Sequence, residues 1–154
     1  MVRMYLLTVA VMLLALPVAP QTGTATQTPA VSVQVENGDG PEVQPTLDEL
    51  LWVARPVVVF ADTPNDPRFT QQLRMLEDRA EELAARDAVI LVDTDPGTLG
   101  PLRRELRPRG FGVVLIDKDG TVVRRHPNPI SARELINQID RLPSRRQEIG
   151  SSKQ

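Results

Sequence analysis

The sequence predicts a single α/β domain in the order β-α-β-α-β-β-α, with a four-stranded mixed sheet, helices on both faces and a short helix in front. Three observations predict it. Val57-Val58-Val59-Phe60-Ala61 and Ala88-Val89-Ile90-Leu91-Val92 are continuous apolar runs of strand length, the pattern of strands buried on both faces. Between them, Phe69, Leu73, Leu76, Ala80 and Leu83 recur at intervals of three or four, one stripe of an amphipathic helix. Finally, Gly112-Val113-Val114-Leu115-Ile116 and Thr121-Val122-Val123 flank Asp117-Lys118-Asp119-Gly120, a hairpin turn. A strand, helix, strand unit wants a parallel pair with a right-handed crossover, and the hairpin adds an antiparallel edge.

The remaining elements follow from their end signals. Thr46-Leu47-Asp48-Glu49 reads as a capping box opening a short helix that carries Leu47, Leu50, Leu51 and Trp52. Pro56 cannot continue that helix. Asp66 and Pro67 give the next helix an N-cap and a first-turn proline. Beyond the second strand, Pro96-Gly97 ends the connection. Leu99, Leu102 and Leu106 then stripe a short helix closed by Pro108 and Gly110. Ser131 to Glu134 is a second capping box, opening a last helix with Leu135, Ile136, Ile139 and Leu142 inward.

Ahead of the domain, Arg3 is followed by an apolar run from Met4 to Ala19, broken only by Thr8. A positive start before a short apolar stretch is the pattern of a secretory signal. At about 1.5 Å per helical residue the run is short for the roughly 30 Å hydrocarbon core, so a spanning anchor is the alternative. Ala19 precedes Pro20, a poor residue after a scissile bond, which favours cleavage after Gly23-Thr24-Ala25. The expected organisation is a signal peptide at 1–25, a flexible linker at 26–45, the folded domain at 46–142 and a disordered tail at 143–154. Val31, Val33 and Val35 alternate as an added edge strand would. The product is expected to be periplasmic or secreted, or membrane-anchored if the segment is kept.

Composition removes whole classes of chemistry. The 154 residues are 41% hydrophobic and 25% charged, with a formal net charge of −2. That balance suits one soluble domain and gives no electrostatic case for a nucleic-acid partner. Aromatics are only 3% of the chain, too few for base-stacking platforms. Cysteine is absent, which excludes disulfides, thiolate nucleophiles, cysteine zinc sites and a lipoprotein anchor. Neither Asp93-Thr94-Asp95 nor Asp117-Lys118-Asp119 supplies the ligand spacing of a calcium loop, so turn chemistry explains both. No cofactor and no metal are expected.

The element order resembles the minimal thioredoxin fold over residues 46–142. Val59-Phe60-Ala61 resembles the end of the first core strand, and Leu115-Ile116-Asp117-Lys118-Asp119-Gly120 resembles the hairpin of thioredoxins and peroxiredoxins. More narrowly, Arg55-Pro56-Val57-Val58-Val59-Phe60-Ala61, Arg109-Gly110-Phe111-Gly112 and the Asp-Gly hairpin resemble the bacterial branch of the DUDES-type domains. That thioredoxin-like family has no settled function. Laid over thioredoxin, the Cys-x-x-Cys turn falls at Pro64-Asn65-Asp66-Pro67, where there is no thiol. The chemistry of thioredoxins and peroxiredoxins needs a thiolate, so both readings fail.

Ligands of open α/β sheets bind beyond the carboxyl ends of the strands. That makes Asp62, Thr63, Asn65 and Asp66, with Phe111, a candidate recognition loop. Arg103, Arg104, Arg107 and Arg109, with Arg124 and Arg125, are a candidate anion patch. His126, the single histidine, precedes Pro127 and has no nucleophile motif beside it, which makes a surface position the expectation. The leading expectation is an exported, non-catalytic binding module whose partner is an envelope protein or a small ligand. The alternatives are an enzyme using Asp62, Asp66 or His126 as general base, and a membrane-tethered structural protein.

Overall fold

The computed structural model describes residues 44–151. The elements are α1 (Leu47–Leu50), β1 (Arg55–Phe60), α2 (Pro67–Glu77), α3 (Ala80–Ala84), β2 (Ala88–Asp93), α4 (Pro101–Leu106), β3 (Gly112–Ile116), β4 (Val122–His126), α5 (Ala132–Asp140) and α6 (Pro143–Ser151). The strands form one sheet in the order β2-β1-β3-β4. β1 and β2 are parallel, and β3 is antiparallel to both β1 and β4. This is the mixed α/β architecture that the apolar runs and the Asp-Gly turn predict.

Both faces are covered. Val57, Val59, Ile90, Val113 and Leu115 point into one layer with Phe69, Leu73 and Leu76 of α2, Leu83 of α3, and Leu135, Ile136 and Ile139 of α5. Val58, Phe60, Leu91, Val114 and Ile116 point the other way, onto Leu50 of α1 and Leu102 and Leu106 of α4. Successive strand residues alternate between faces, so every residue of β1 is buried. All three N-caps form, but of the two predicted capping boxes only that at Thr46 closes, since the Glu134 carboxylate accepts from Gln138 rather than from the Ser131 amide. The Thr46 hydroxyl accepts from the Glu49 amide while the Glu49 carboxylate accepts from the Thr46 amide, Asp66 caps α2, and Ser131 caps α5.

Four local readings are corrected. The stripe after Asp66 is split between two helices, because Arg79 leaves helical backbone (φ −136°, ψ 35°). Leu76 and Leu83 are nonetheless both fully buried. The first helix stops at Leu50, and Leu51, Trp52 and Val53 are exposed. Leu99 lies outside α4 on a left-handed backbone (φ 45°), with its side chain in solvent. The tail read as disordered forms α6, which buries no apolar residue and is held instead by Ser144, Arg145 and Glu148. An apolar stripe is the usual signal of a docked helix, and polar docking leaves none.

The signal segment, most of the linker and the Val31, Val33, Val35 alternation lie outside the described residues. The linker's last part is tied down. The Gln44 side chain donates from Nε2 to the Val92 carbonyl and accepts at Oε1 from the Val92 amide, both at 3.0 Å, as the backbone of a neighbouring strand would.

Candidate functional site

β1 and β2 both run toward the end of the sheet where β3 starts, so the loops after them and before β3 share one edge. The predicted recognition loop lies there. Thr63 and Asp66 close its turn, with the Asp66 amide donating to the Thr63 carbonyl at 3.1 Å and the Asn65 amide donating to the Thr63 hydroxyl at 3.3 Å. Asp62, Thr63 and Asn65 are exposed. Gly110 reaches the same edge on a left-handed backbone (φ 68°), and a Cβ on it would lie 3.5 Å from Asp62 Oδ2.

Asp66 is committed twice. Oδ1 accepts from the Arg68 amide at 2.9 Å as the helix cap, and Oδ2 accepts from Arg68 Nη2 at 2.8 Å. The hydrogen bond from the Arg68 side chain holds the Asp66 carboxyl below the usual carboxylate range. The same contact, aided by the nearby Asp62 charge, raises Arg68. Arg68 then lies over the Phe111 ring at 5.0 Å from its centroid. Phe111 itself is 5% exposed and packs in the core, so a ligand at this edge meets Arg68 rather than the ring. Phe111, expected as a contact residue, is buried beneath the Arg68 guanidinium. Arg68 was missed, since only the fold brings the start of α2 over the start of β3.

The arginines do not form one patch. Arg103 is buried, its Nε donating to Asp93 Oδ1 at 2.7 Å and its Nη2 to the Ala61 carbonyl at 2.6 Å, and it lies over Phe60. It ties the carboxyl ends of β1 and β2 together. Arg125 donates to the Leu106 carbonyl at 2.8 Å. Arg124 pairs with Leu115 in register and Arg125 with Val114, so the two point to opposite faces. Arg104, Arg107 and Arg109 are exposed around the end of α4. His126 ends β4 half-buried, with Nε2 3.2 Å from Gln138 Oε1. Asp95 caps its own turn through Thr98 and Gly97, and the Thr98 hydroxyl keeps its carboxyl below the ordinary range. Among the described residues no three His, Cys, Asp or Glu side chains converge as metal ligands do.

The opposite end of the sheet holds a cluster that the sequence did not announce. Arg55 opens β1 and is fully buried. It donates to Asp117 Oδ1 at 3.0 Å, to the Arg86 carbonyl at 3.0 Å, to the Ser144 hydroxyl at 3.0 Å and to both oxygens of Glu148 at 2.8 and 3.3 Å. Lys118 joins Glu148 and Asp87 at 3.0 and 2.8 Å. Burial opposes ionisation of Glu148, yet hydrogen bonds from Arg55, Lys118 and Arg145 outweigh it and hold the carboxyl at about 2. Burial likewise opposes the Lys118 charge, and its two carboxylate partners raise it above the ordinary lysine range. The available signal was Arg55 itself, a cation at the head of an apolar run with no partner nearby in sequence.

A family model described as a domain of unknown function (DUF4174) matches residues 46–148, reaching the Glu148 that binds Arg55. No curated protein matches the sequence. Among solved structures, the reduced 2-Cys peroxiredoxin of Plasmodium vivax is similar, with a TM-score of 0.53 and 13% identity over 66% of this chain and 84% of that one. Plasmodium yoelii Prx1a is similar at a TM-score of 0.50 and 14% identity, over 66% of this chain and 80% of that one. At such identities the likeness is one of fold, and the fold is thioredoxin-like. The chain belongs to the DUF4174 family of domains of unknown function.

Proposed function

We propose that this chain is an exported, non-catalytic recognition module that keeps a thioredoxin-like scaffold without thiol chemistry. The observation that carries the reading is the double commitment of Asp66. At the turn where a thioredoxin places its reactive thiol, this chain has a carboxylate spent on a helix cap and an ion pair with Arg68. A general base must be free to take a proton, and a carboxylate bound in this way is a poor one. What the edge offers a partner is a polar surface: Asp62, Thr63 and Asn65 beside the Arg68 guanidinium. An envelope protein or a small polar ligand fits that surface. The Arg3 start and the apolar run to Ala19 support export. Within the family, the Arg55–Ala61 and Arg109–Gly112 stretches support a grouping with the bacterial DUDES-type domains.

The test is capture of partners from envelope extract on the tagged chain, at low and moderate salt, with Asp62→Asn and Arg68→Ala variants in parallel. One partner retained by the parent and lost by both variants supports the module and locates its face. Turnover of peroxide or of a disulfide by the pure protein overturns it.

A further inference from the structure

We propose that a second site, the groove between the β3–β4 turn and α6, binds the cationic side chain of a basic peptide, with Trp52 and Asp119 as the recognising pair. The groove encloses about 800 Å³, and its walls include Trp52, Asp119, Thr121, Gln147 and Ser151. It lies at the opposite end of the sheet from the Asp62–Asp66 edge, so it stands or falls independently of that reading.

Trp52 is the single tryptophan of the chain, and it is 75% exposed. A large aromatic in a small domain ordinarily goes inside, because its ring carries much apolar area. Here the backbone holds it out. Trp52 has φ 64°, a conformation that bulky residues rarely adopt, and its amide donates to the Lys118 carbonyl at 2.7 Å. Beside it, Leu51 packs against Gly120. The corner before β1 is thus fixed on the hairpin turn, with Trp52 and Asp119 both lining the groove.

The charges of the groove select the ligand. Asp117 is taken by Arg55 and Ser144, Lys118 by Asp87 and Glu148, and Glu148 by Arg55, Lys118 and Arg145. Asp119 accepts from the Thr121 amide through Oδ1, and among the described residues no cation pairs with it. An aromatic side chain and an unpaired carboxylate lining one groove are complementary to an ammonium or guanidinium group. An anion would meet the unpaired carboxylate of Asp119 instead. A neutral sugar could stack on the same ring, but it would not depend on the charge of Asp119.

Because Trp52 is the only tryptophan, its emission reports the site directly. The full chain is titrated with trilysine amide, with its fully acetylated neutral form, and with a neutral trisaccharide. The expected result is a saturable change with trilysine amide alone, weakened about fivefold or more in Asp119→Asn and by raising the salt to about 0.5 M. Asn keeps the acceptor for the Thr121 amide, and unchanged melting verifies that the turn is intact. By calorimetry, Trp52→Gly abolishes binding while its melting temperature stays equal or rises, since glycine suits the positive φ. No saturable response, an equal response in Asp119→Asn, or a response to the acetylated peptide or the trisaccharide overturns the proposal.

Discussion

Arg55 Nε donates to Asp117 Oδ1 at 3.0 Å across 62 positions of sequence, joining the first residue of β1 to the turn that follows β3. The guanidinium is fully buried and the carboxylate side chain only 10% exposed. Two charges withdrawn from water this far are tolerable only while both are paired, and the remaining guanidinium hydrogens are satisfied by Ser144, Glu148 and the Arg86 carbonyl. Arg55 therefore gathers β1, the loop before β2, the hairpin turn and α6 onto one side chain.

Arg55→Met fills similar space but leaves Asp117 and Glu148 without their shared cation. Breaking one partner of a buried pair typically costs about 3–5 kcal/mol. Urea unfolding of the variant at neutral pH is expected to show a loss of that order. A loss below about 1 kcal/mol would mean that water or a rearranged Lys118 replaces the guanidinium.

Glu148 gives this cluster a pH signature. Its carboxyl lies at about 2 in the fold, against an ordinary 4.5. The ionised form is thus favoured by folding, and the contribution is complete above about pH 4.5 and lost as the pH falls through 2. At about 1.4 kcal/mol per unit the shift sets a ceiling of roughly 3 kcal/mol, reduced because the side chain is 28% exposed. In Glu148→Gln that contribution is absent at every pH. The gap in unfolding free energy between parent and variant should be widest at pH 6–7, close progressively below 4.5 and vanish near 2. A gap that stays constant with pH would assign the effect to packing of α6 rather than to charge.

Features written in local composition were legible in the sequence. The runs at Val57 and Ala88 are apolar because their strands are covered on both faces. The caps at Thr46, Asp66 and Ser131 are each a contact between residues two or three positions apart. What stayed hidden is what joins distant segments. Arg68 covers Phe111, Arg103 reaches the Ala61 carbonyl, and Glu148 reaches Arg55 from 93 residues away. A charged residue on a polar helix carries no mark of a buried partner, so α6 read as a loose tail. The position of the Asp62–Asp66 loop at the sheet edge was legible because strand ends are a matter of topology. The Trp52 groove was missed because that tryptophan was read as part of the short first helix, which ends at Leu50.

Gln72 offers a test inside the core. It is fully buried on α2, with Nε2 donating to the Ile130 carbonyl at 2.9 Å and Oε1 accepting from the Ile130 amide at 2.8 Å. The side-chain amide thus satisfies a loop residue that belongs to no strand. Gln72→Leu keeps the bulk and removes both bonds, leaving a buried donor and a buried acceptor with no partner. Each such group costs about 1–3 kcal/mol, so a combined loss of about 2–6 kcal/mol is expected in chemical unfolding. Amide hydrogen exchange at Ile130 should accelerate more than at Leu135, since the defect is local to the loop before α5.

Gly120 and Gly112 separate backbone strain from lack of space. Gly120 closes the hairpin turn with φ 83°, its amide donating to the Asp117 carbonyl at 3.0 Å. A Cβ there would lie 2.9 Å from Leu51 Cδ2, the far end of a flexible side chain that can swing toward solvent. The steric part is therefore small and the left-handed backbone decides, at about 1–2 kcal/mol for a non-glycine residue. Gly112 has no positive φ, and a Cβ on it would meet the His126 carbonyl at 3.5 Å, an ordinary contact. Gly120→Ala is expected to lose about 1–2 kcal/mol in urea unfolding, whereas Gly112→Ala should stay within about 0.5 kcal/mol of the parent. Because Gly120 also supports Leu51 beside Trp52, its alanine variant should alter tryptophan emission, and Gly112→Ala should not. Equal losses at the two glycines, which lie at opposite ends of β3, would show that turn geometry does not set the cost at Gly120.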